Sequence, residues 1–117
     1  MELVRIEKND LDSILVLEKL LYKDPWNASN FESELAHNDY AYMYVLKEDE
    51  VVLGYAGFWL SYEYATITKV SINPALQNRG LGFYLFNSVM NIARELGATS
   101  FSLEVRVSNI PAQKLYL

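Results

Sequence analysis

Between Val70 and Gly82 the chain carries residues whose types and spacing could hold a phosphate. The segment Val70-Ser71-Ile72-Asn73-Pro74-Ala75-Leu76-Gln77-Asn78-Arg79-Gly80-Leu81-Gly82 reads as a strand end, a turn at Asn73-Pro74, a short loop and a helix start. Gly80 and Gly82 have no Cβ, so a ligand can approach the main chain closely there. The first N–H groups of the following helix have no partner inside it, and its dipole adds partial positive charge. Together these make an anion site suited to a pyrophosphate. The P-loop pattern is absent, because no Lys-Ser or Lys-Thr follows Gly82. The dinucleotide pattern G-x-G-x-x-G fails at its third glycine, where Leu85 stands.

Other chemistries find less to work with. His37 is the only histidine; with Glu34 and Asp39 nearby it still falls short of a ligand set, so it is expected at the surface and no metal is expected. A Ser-His-Asp arrangement would have to recruit that same histidine, and no nucleophile motif surrounds any serine. The absence of cysteine excludes disulfides and thiol nucleophiles and fits a reducing interior.

The elements that must position the loop follow from periodicity. Leu3 to Glu7 reads as a first strand. Asn9 or Asp10 can cap a helix from Leu11 to about Leu21, with Leu11, Ile14, Leu15, Leu17 and Leu21 as its apolar stripe. Lys23-Asp24-Pro25-Trp26-Asn27 breaks it. A short helix near Phe31 to His37 follows, capped by Asn27 or Ser29, where Ser29-x-x-Glu32 matches a capping box. Tyr40 to Lys47 and Val51 to Leu60 read as strands around the charged turn Glu48-Asp49-Glu50, and Gly54 and Gly57 mark bends. The Tyr-rich stretches 40–44 and 62–64 are expected to pack within the sheet. Tyr64 to Ile72 is the strand that feeds the loop. After the loop, Leu81, Leu85, Val89, Ile92 and Leu96 recur at helical spacing, and Gly97 sits where a helix stops. Ser100 to Arg106 alternates, with Phe101, Leu103 and Val105 on one face and Ser102, Glu104 and Arg106 on the other. A final helix starts at Ser108 or Asn109, with Pro111 in its first turn. The order predicts an α+β (mixed α/β) fold. Its last strand returns through a helix crossover, and the loop lies at the carboxyl end of its strand.

Composition bounds the class. The 117 residues argue for one domain, 1–117, and 51% hydrophobic with 14% aromatic residues is ample for a core. A net charge of −5 speaks against nucleic acid as a partner and would suit a basic protein or an amine. Met1-Glu2-Leu3-Val4-Arg5 is no signal peptide, and the longest uncharged run, Val51 to Leu60, is too short to span a membrane. A cytoplasmic domain with no membrane partner is expected.

The motif Gln77-x-x-Gly80-x-Gly82 resembles the coenzyme A pyrophosphate loop of the GNAT superfamily of N-acyltransferases. The segment Leu103-Glu104-Val105-Arg106-x-Ser108-Asn109-x-x-Ala112-x-x-Leu115-Tyr116 resembles the region that ends the cofactor site in those enzymes. With Pro25-Trp26-Asn27, the whole chain is most similar to the bacterial ribosomal-protein-alanine N-acetyltransferases. The resemblance implies a central mixed sheet flanked by helices, acetyl-CoA as cosubstrate and a ribosomal protein's N-terminal alanine α-amine as acceptor. It also implies the roles of single residues. Glu104 matches the general base and Tyr116 the general acid. The backbone of Val70, Ser71 and Ile72 matches the strand that holds the pantetheine arm. Gln77 belongs to the motif, Asn78, Arg79, Gly80, Leu81, Gly82 and Phe83 match the pyrophosphate loop, and Asn109 a further coenzyme contact.

From the residues alone, Glu104 could instead be an exposed partner of Arg106, two positions along the same face, and Tyr116 a core tyrosine. A GNAT acting on a small amine, or a coenzyme A-binding module without turnover, are the competing functions. The family's chain continues past this tyrosine into two more strands that wall the acceptor groove. This sequence is therefore expected to lack the last two strands of the fold and to be C-terminally incomplete. Its last strand is expected to be an exposed edge, which would favour a homodimer.

Overall fold

The computed structural model describes residues 1–104. Strand β1 (Glu2–Arg5) leads through a single 3₁₀ turn (Lys8–Asp10) into α1 (Leu11–Leu21) and α2 (Ala28–His37). Strands β2 (Ala41–Glu48), β3 (Val51–Ser61) and β4 (Tyr64–Ile72) follow, then a 3₁₀ turn (Pro74–Leu76), α3 (Leu81–Glu95) and β5 (Ser100–Leu103). The five strands form one sheet in chain order, antiparallel from β1 to β4, with β5 parallel to β4. The helix crossover expected between the last two strands is therefore α3. Among the described residues β1 and β5 are the two edges of the sheet.

Two cores sandwich the sheet. One face packs Leu46, Phe58, Ile67, Val70 and Ile72 against Leu85, Val89 and Ala93 of α3. The other packs Met43, Val45 and Tyr55 against Ile14 and Leu17 of α1 and Phe31 of α2. Each large side chain fully buried this way contributes about 1.5–3 kcal/mol. The stripe read for α3 is rotated slightly: Ala93 is fully buried and Leu96 is 46% exposed, because Leu96 is already the C-cap of the helix. A Schellman pair stops α3, with Ala98 N–H donating to the Ala93 carbonyl at 2.9 Å and Gly97 N–H to Arg94 at 3.0 Å.

Helices α1 and α3 start where the sequence reading placed them, but the cap of α1 and the start of α2 differ from it. Asp10 does not cap α1 with its side chain; it accepts from the Glu7 amide at 2.9 Å and pairs with Lys47 at 2.5 Å. The second helix begins at Ala28, three residues before Phe31, and its box is Asn27-x-x-Asn30 rather than Ser29-x-x-Glu32. Asn30 N–H donates to Asn27 at 2.8 Å, and Asn27 N–H to Asn30 at 2.9 Å. Of the two expected caps Asn27 is the one used, and two asparagines make the reciprocal bonds expected of Ser29 and Glu32 two residues further on.

Both bends fall beside the glycines. The β2–β3 register slips at Leu46/Lys47, next to Gly54, and the β3–β4 register slips at Gly57/Phe58. The second slip leaves Thr68 as the extra residue of β4, with its hydroxyl donating to the Gly57 carbonyl at 3.3 Å. A Cβ on Gly54 would sit 2.5 Å from the Ser71 carbonyl oxygen and 2.6 Å from Ile72 Cδ1. Only glycine lets β3 lie this close behind the end of β4.

Candidate active site

Strand β4 delivers the chain to the loop, and each expected loop residue falls on one strand–turn–helix unit. Val70, Ser71 and Ile72 are buried at its end. Asn73 N–H donates to Leu53 at 2.9 Å, at the bulge of β3, and its side chain accepts from Ala75 N–H at 3.0 Å. That Asx turn sets Pro74–Leu76 as a single 3₁₀ turn. Asn78 (φ 67°) and Gly80 (φ 79°) then take left-handed backbone conformations, and the chain reverses into α3. Gly80 suits this because it has no Cβ penalty there.

No side chain caps α3. Its first turn is closed by Tyr84 N–H donating to the Gly80 carbonyl at 3.0 Å, so the helix has no acceptor for the amides of Leu81, Gly82 and Phe83. A Cβ built on Gly80 meets nothing within 4 Å, which leaves open space beside the main chain. Asn78, Arg79 and Phe83 are exposed, while Gln77, Leu81 and Gly82 are half-buried. The start of a 15-residue helix, the dipole behind it and the Arg79 guanidinium together present positive potential to an anion.

Glu104 lies one residue beyond β5 and is exposed. The β4–β5 ladder ends at Ile67↔Leu103, and Glu104 N–H donates to the Ile67 carbonyl at 2.9 Å. This sets the glutamate beside the Thr68 bulge of β4, the kind of irregularity that re-aims side chains at active sites. The structure thus brings Glu104 and the loop onto the same pair of parallel strands and their crossover. Arg106, Asn109 and Tyr116 lie outside the described residues, as does the last predicted helix.

A buried polar cluster was not foreseen. Glu18 of α1 is fully buried and accepts from Lys69 Nζ at 2.8 Å, from Trp26 N–H at 2.9 Å and from the Tyr55 hydroxyl. Lys69 lies over the rings of Trp26, Tyr22 and Phe31 at 4.5, 4.9 and 5.4 Å. The Tyr22 hydroxyl shares a 2.5 Å hydrogen bond with Ser71 Oγ. One signal was available: Glu18 stands four residues after Ile14 and seven after Leu11, in the middle of the apolar stripe. The cluster ties α1 and the α1–α2 connection to the end of β4.

Burial, and then the Glu18 carboxylate, push the Tyr55 phenol far above its ordinary value near 10. The folded protein holds that proton more tightly than the unfolded chain. The associated stability is therefore present below pH 10 and lost as pH rises beyond it, at about 1.4 kcal/mol per pH unit for one proton. Urea midpoints measured from pH 9 to 11 should fall less steeply in Tyr55→Phe than in the parent chain. Equal slopes would show that Tyr55 does not carry the effect.

A mixed sheet between helical layers, with a helix start that no side chain caps following β4, is the architecture that frames the candidate site. The chain belongs to the acetyltransferase (GNAT) family, whose sequence profile matches residues 11–117. It is an acetyl-CoA-dependent N-acetyltransferase. A relative from Bacillus subtilis (strain 168), 39% identical over 107 residues, carries the provisional name of ribosomal protein bS18-alanine N-acetyltransferase; the alignment covers 92% of this chain and 71% of that protein. The crystal structure of the ribosomal-protein-S18-alanine N-acetyltransferase from Escherichia coli superposes with a TM-score of 0.82 at 24% identity, over 98% of this chain and 73% of that one. The PaiA N-acetyltransferase of Thermoplasma acidophilum, solved in complex with coenzyme A, matches with a TM-score of 0.74 at 15% identity, over 98% and 85% of the two chains. Both superpositions bear out the expected fold class. Among the described residues no group of three or more His, Cys, Asp or Glu could hold a metal ion. Among them, too, no helix is long and apolar enough to cross a membrane.

Proposed function

We propose that this N-acetyltransferase modifies the α-amine of a protein N-terminus, namely the N-terminal alanine of a ribosomal protein. The observation that carries the reading is the 39% identity to the Bacillus subtilis relative of that name, over 92% of this chain. Acetyl-CoA supplies the acyl group as an activated thioester. The loop fits its pyrophosphate: amides of Leu81, Gly82 and Phe83 beyond any helical acceptor, Gly80 open to close approach, and Arg79 beside them. The main chain of Val70, Ser71 and Ile72 takes the pantetheine arm, Gln77 and Asn78 border the phosphates, and Asn109 adds a coenzyme contact.

An α-amine has a pKa near 7.7–8.0, so near neutrality it is mostly protonated and must lose a proton before it attacks. Glu104 takes that proton, directly or through a water, and Tyr116 gives one to the leaving sulfur. Support for Glu104 comes from its exposure and from its place beside the Thr68 bulge. Turnover with an Ala-terminated peptide, measured against small amines such as polyamines and amino sugars, tests the reading. Comparable kcat/KM on the small amines would replace the protein acceptor with a metabolite.

The loop assignment has its own test. In Gly80→Val a β-branched residue would have to adopt φ near 79° and would fill the space beside the amides. Acetyl-CoA affinity measured by calorimetry should fall at least about tenfold, with the circular dichroism spectrum retained. Unchanged affinity would move the pyrophosphate elsewhere.

A further inference from the structure

Four aromatic side chains stand in water at the end of the sheet where β4 begins. Tyr40, Trp59, Tyr64 and Tyr62 are 59%, 39%, 49% and 96% exposed. Three of them, Tyr40, Trp59 and Tyr64, line a groove of about 270 Å³ with Asn38, Ser61 and Thr66. That is room for one or two side chains. The groove is built rather than incidental: Glu34 of α2 fixes Trp59, accepting from its indole N–H at 2.8 Å, and also accepts from Asn38 at 2.9 Å.

One lining residue of the groove touches the strand that leads to the proposed base. Thr66 lines it, and Ser102 of β5 donates to the Thr66 hydroxyl at 3.2 Å on the same face. Glu104 follows Ser102 by two residues, about 7 Å along the chain, just past the end of β5. The segments that line it, 34–41 and 59–66, carry Glu34, Asp39 and Glu63, the neighbouring segment 99–104 adds Glu104, and none of the three has a lysine or arginine. An aromatic floor inside a rim of one sign selects a chain that has apolar or planar groups and positive charge.

We propose that this groove binds the acceptor polypeptide immediately downstream of its reacting N-terminus, and that it selects a basic segment. The assignment rests on the protein-terminus reading above. Tyr40, Trp59 and Tyr64 hold the first side chains after the terminus, and Glu34, Asp39 and Glu63 attract the cations that follow. Glu104 is left to meet the amine at the near end.

Tryptophan fluorescence, with the contribution of Trp26 separated by the same titration of Trp59→Phe, offers a readout without turnover. Peptides carrying an N-terminal acetyl group cannot react, yet they still present the downstream segment. A hexapeptide of this kind with two or three Lys or Arg residues should change the emission, and its Glu-substituted counterpart should not. Raising salt from 0.05 to 0.5 M, concentrations chosen to span the screening range, should weaken the interaction. Trp59→Ala and Tyr64→Ser, both at exposed positions, should each raise KM for a basic Ala-terminated peptide about tenfold or more. At saturation kcat should stay near the parent value, and KM for alanine amide, which is too short to reach the groove, should not move. Unchanged peptide KM in both variants, while the parent acetylates the peptide, overturns the groove and leaves the protein-terminus reading standing. No turnover of any peptide, with small amines acetylated well, overturns that reading instead. A preference for the acidic or neutral peptide overturns the charge assignment.

Discussion

Glutamine in place of Glu104 should lower kcat by about 10²–10⁴, the usual worth of a general base, while acetyl-CoA affinity stays nearly constant. The substitution keeps the shape and removes only the ability to take a proton. The loop that would hold the coenzyme lies at the far end of β4 from the Ile67–Glu104 hydrogen bond, so the cosubstrate should not feel the change. The deficit should shrink as pH rises toward the α-amine's own pKa near 7.7–8.0, because fewer amines then need deprotonation. A small loss with no pH dependence would reduce Glu104 to a surface partner of Arg106. Tyr116→Phe should lower kcat as well and likewise spare the cosubstrate.

The parts of the fold that were legible are those in which local pattern and global packing agree. The bounds of α1 and of β4 follow from turn residues on either side and from an apolar period that survives one buried Glu18 in α1 and the Thr68 bulge in β4. The loop was legible because its glycines sit between a strand and a helix, and Gly80 does take the left-handed backbone that such a turn requires. What local pattern missed is long-range. Lys69 and Glu18 meet across 51 positions of sequence, and nothing within either neighbourhood names the other.

The tyrosines show the same divide. Tyr44 is buried and Tyr42 stacks on Phe58 at 5.2 Å, as strand packing predicts. Tyr40, Tyr62 and Tyr64 instead stand exposed, just before β2, in the β3–β4 turn and at the first position of β4. A run of tyrosines reads alike on covered and uncovered surface, so composition could not separate the core pair from the groove. The candidate site divides similarly. The loop proposed to hold the anion is a contiguous sequence feature, whereas the relation of Glu104 to the Thr68 bulge exists only once β4 and β5 are paired.

Alanine in place of Glu18 should cost about 3–5 kcal/mol of folding stability, the usual penalty for breaking a buried ion pair from one side. The carboxylate accepts from an ammonium, a backbone amide and a phenol, and both members of the pair are almost wholly out of water. Removing it takes a negative charge from Lys69 in a place where water does not replace it, and it strands the donors of Trp26 and Tyr55. Against a total of about 5–15 kcal/mol for a domain, that loss would leave the variant close to unfolding. Lys69→Met should cost less, since the Trp26 and Tyr55 donors still serve the remaining carboxylate. The two changes should not add: with Lys69 already methionine, losing the Glu18 charge removes no ion pair, so a coupling of about 1–3 kcal/mol is expected. Joint replacement by Glu18→Leu, Lys69→Met and Tyr55→Phe, which removes charge and phenol together, should recover much of the loss, leaving chiefly the Trp26 amide unsatisfied. Urea midpoints of the single, double and triple variants decide it. Additive singles, or a Glu18→Ala loss under about 1 kcal/mol, would mean that water reaches the pair and that the clamp between α1 and β4 lies in the apolar contacts alone.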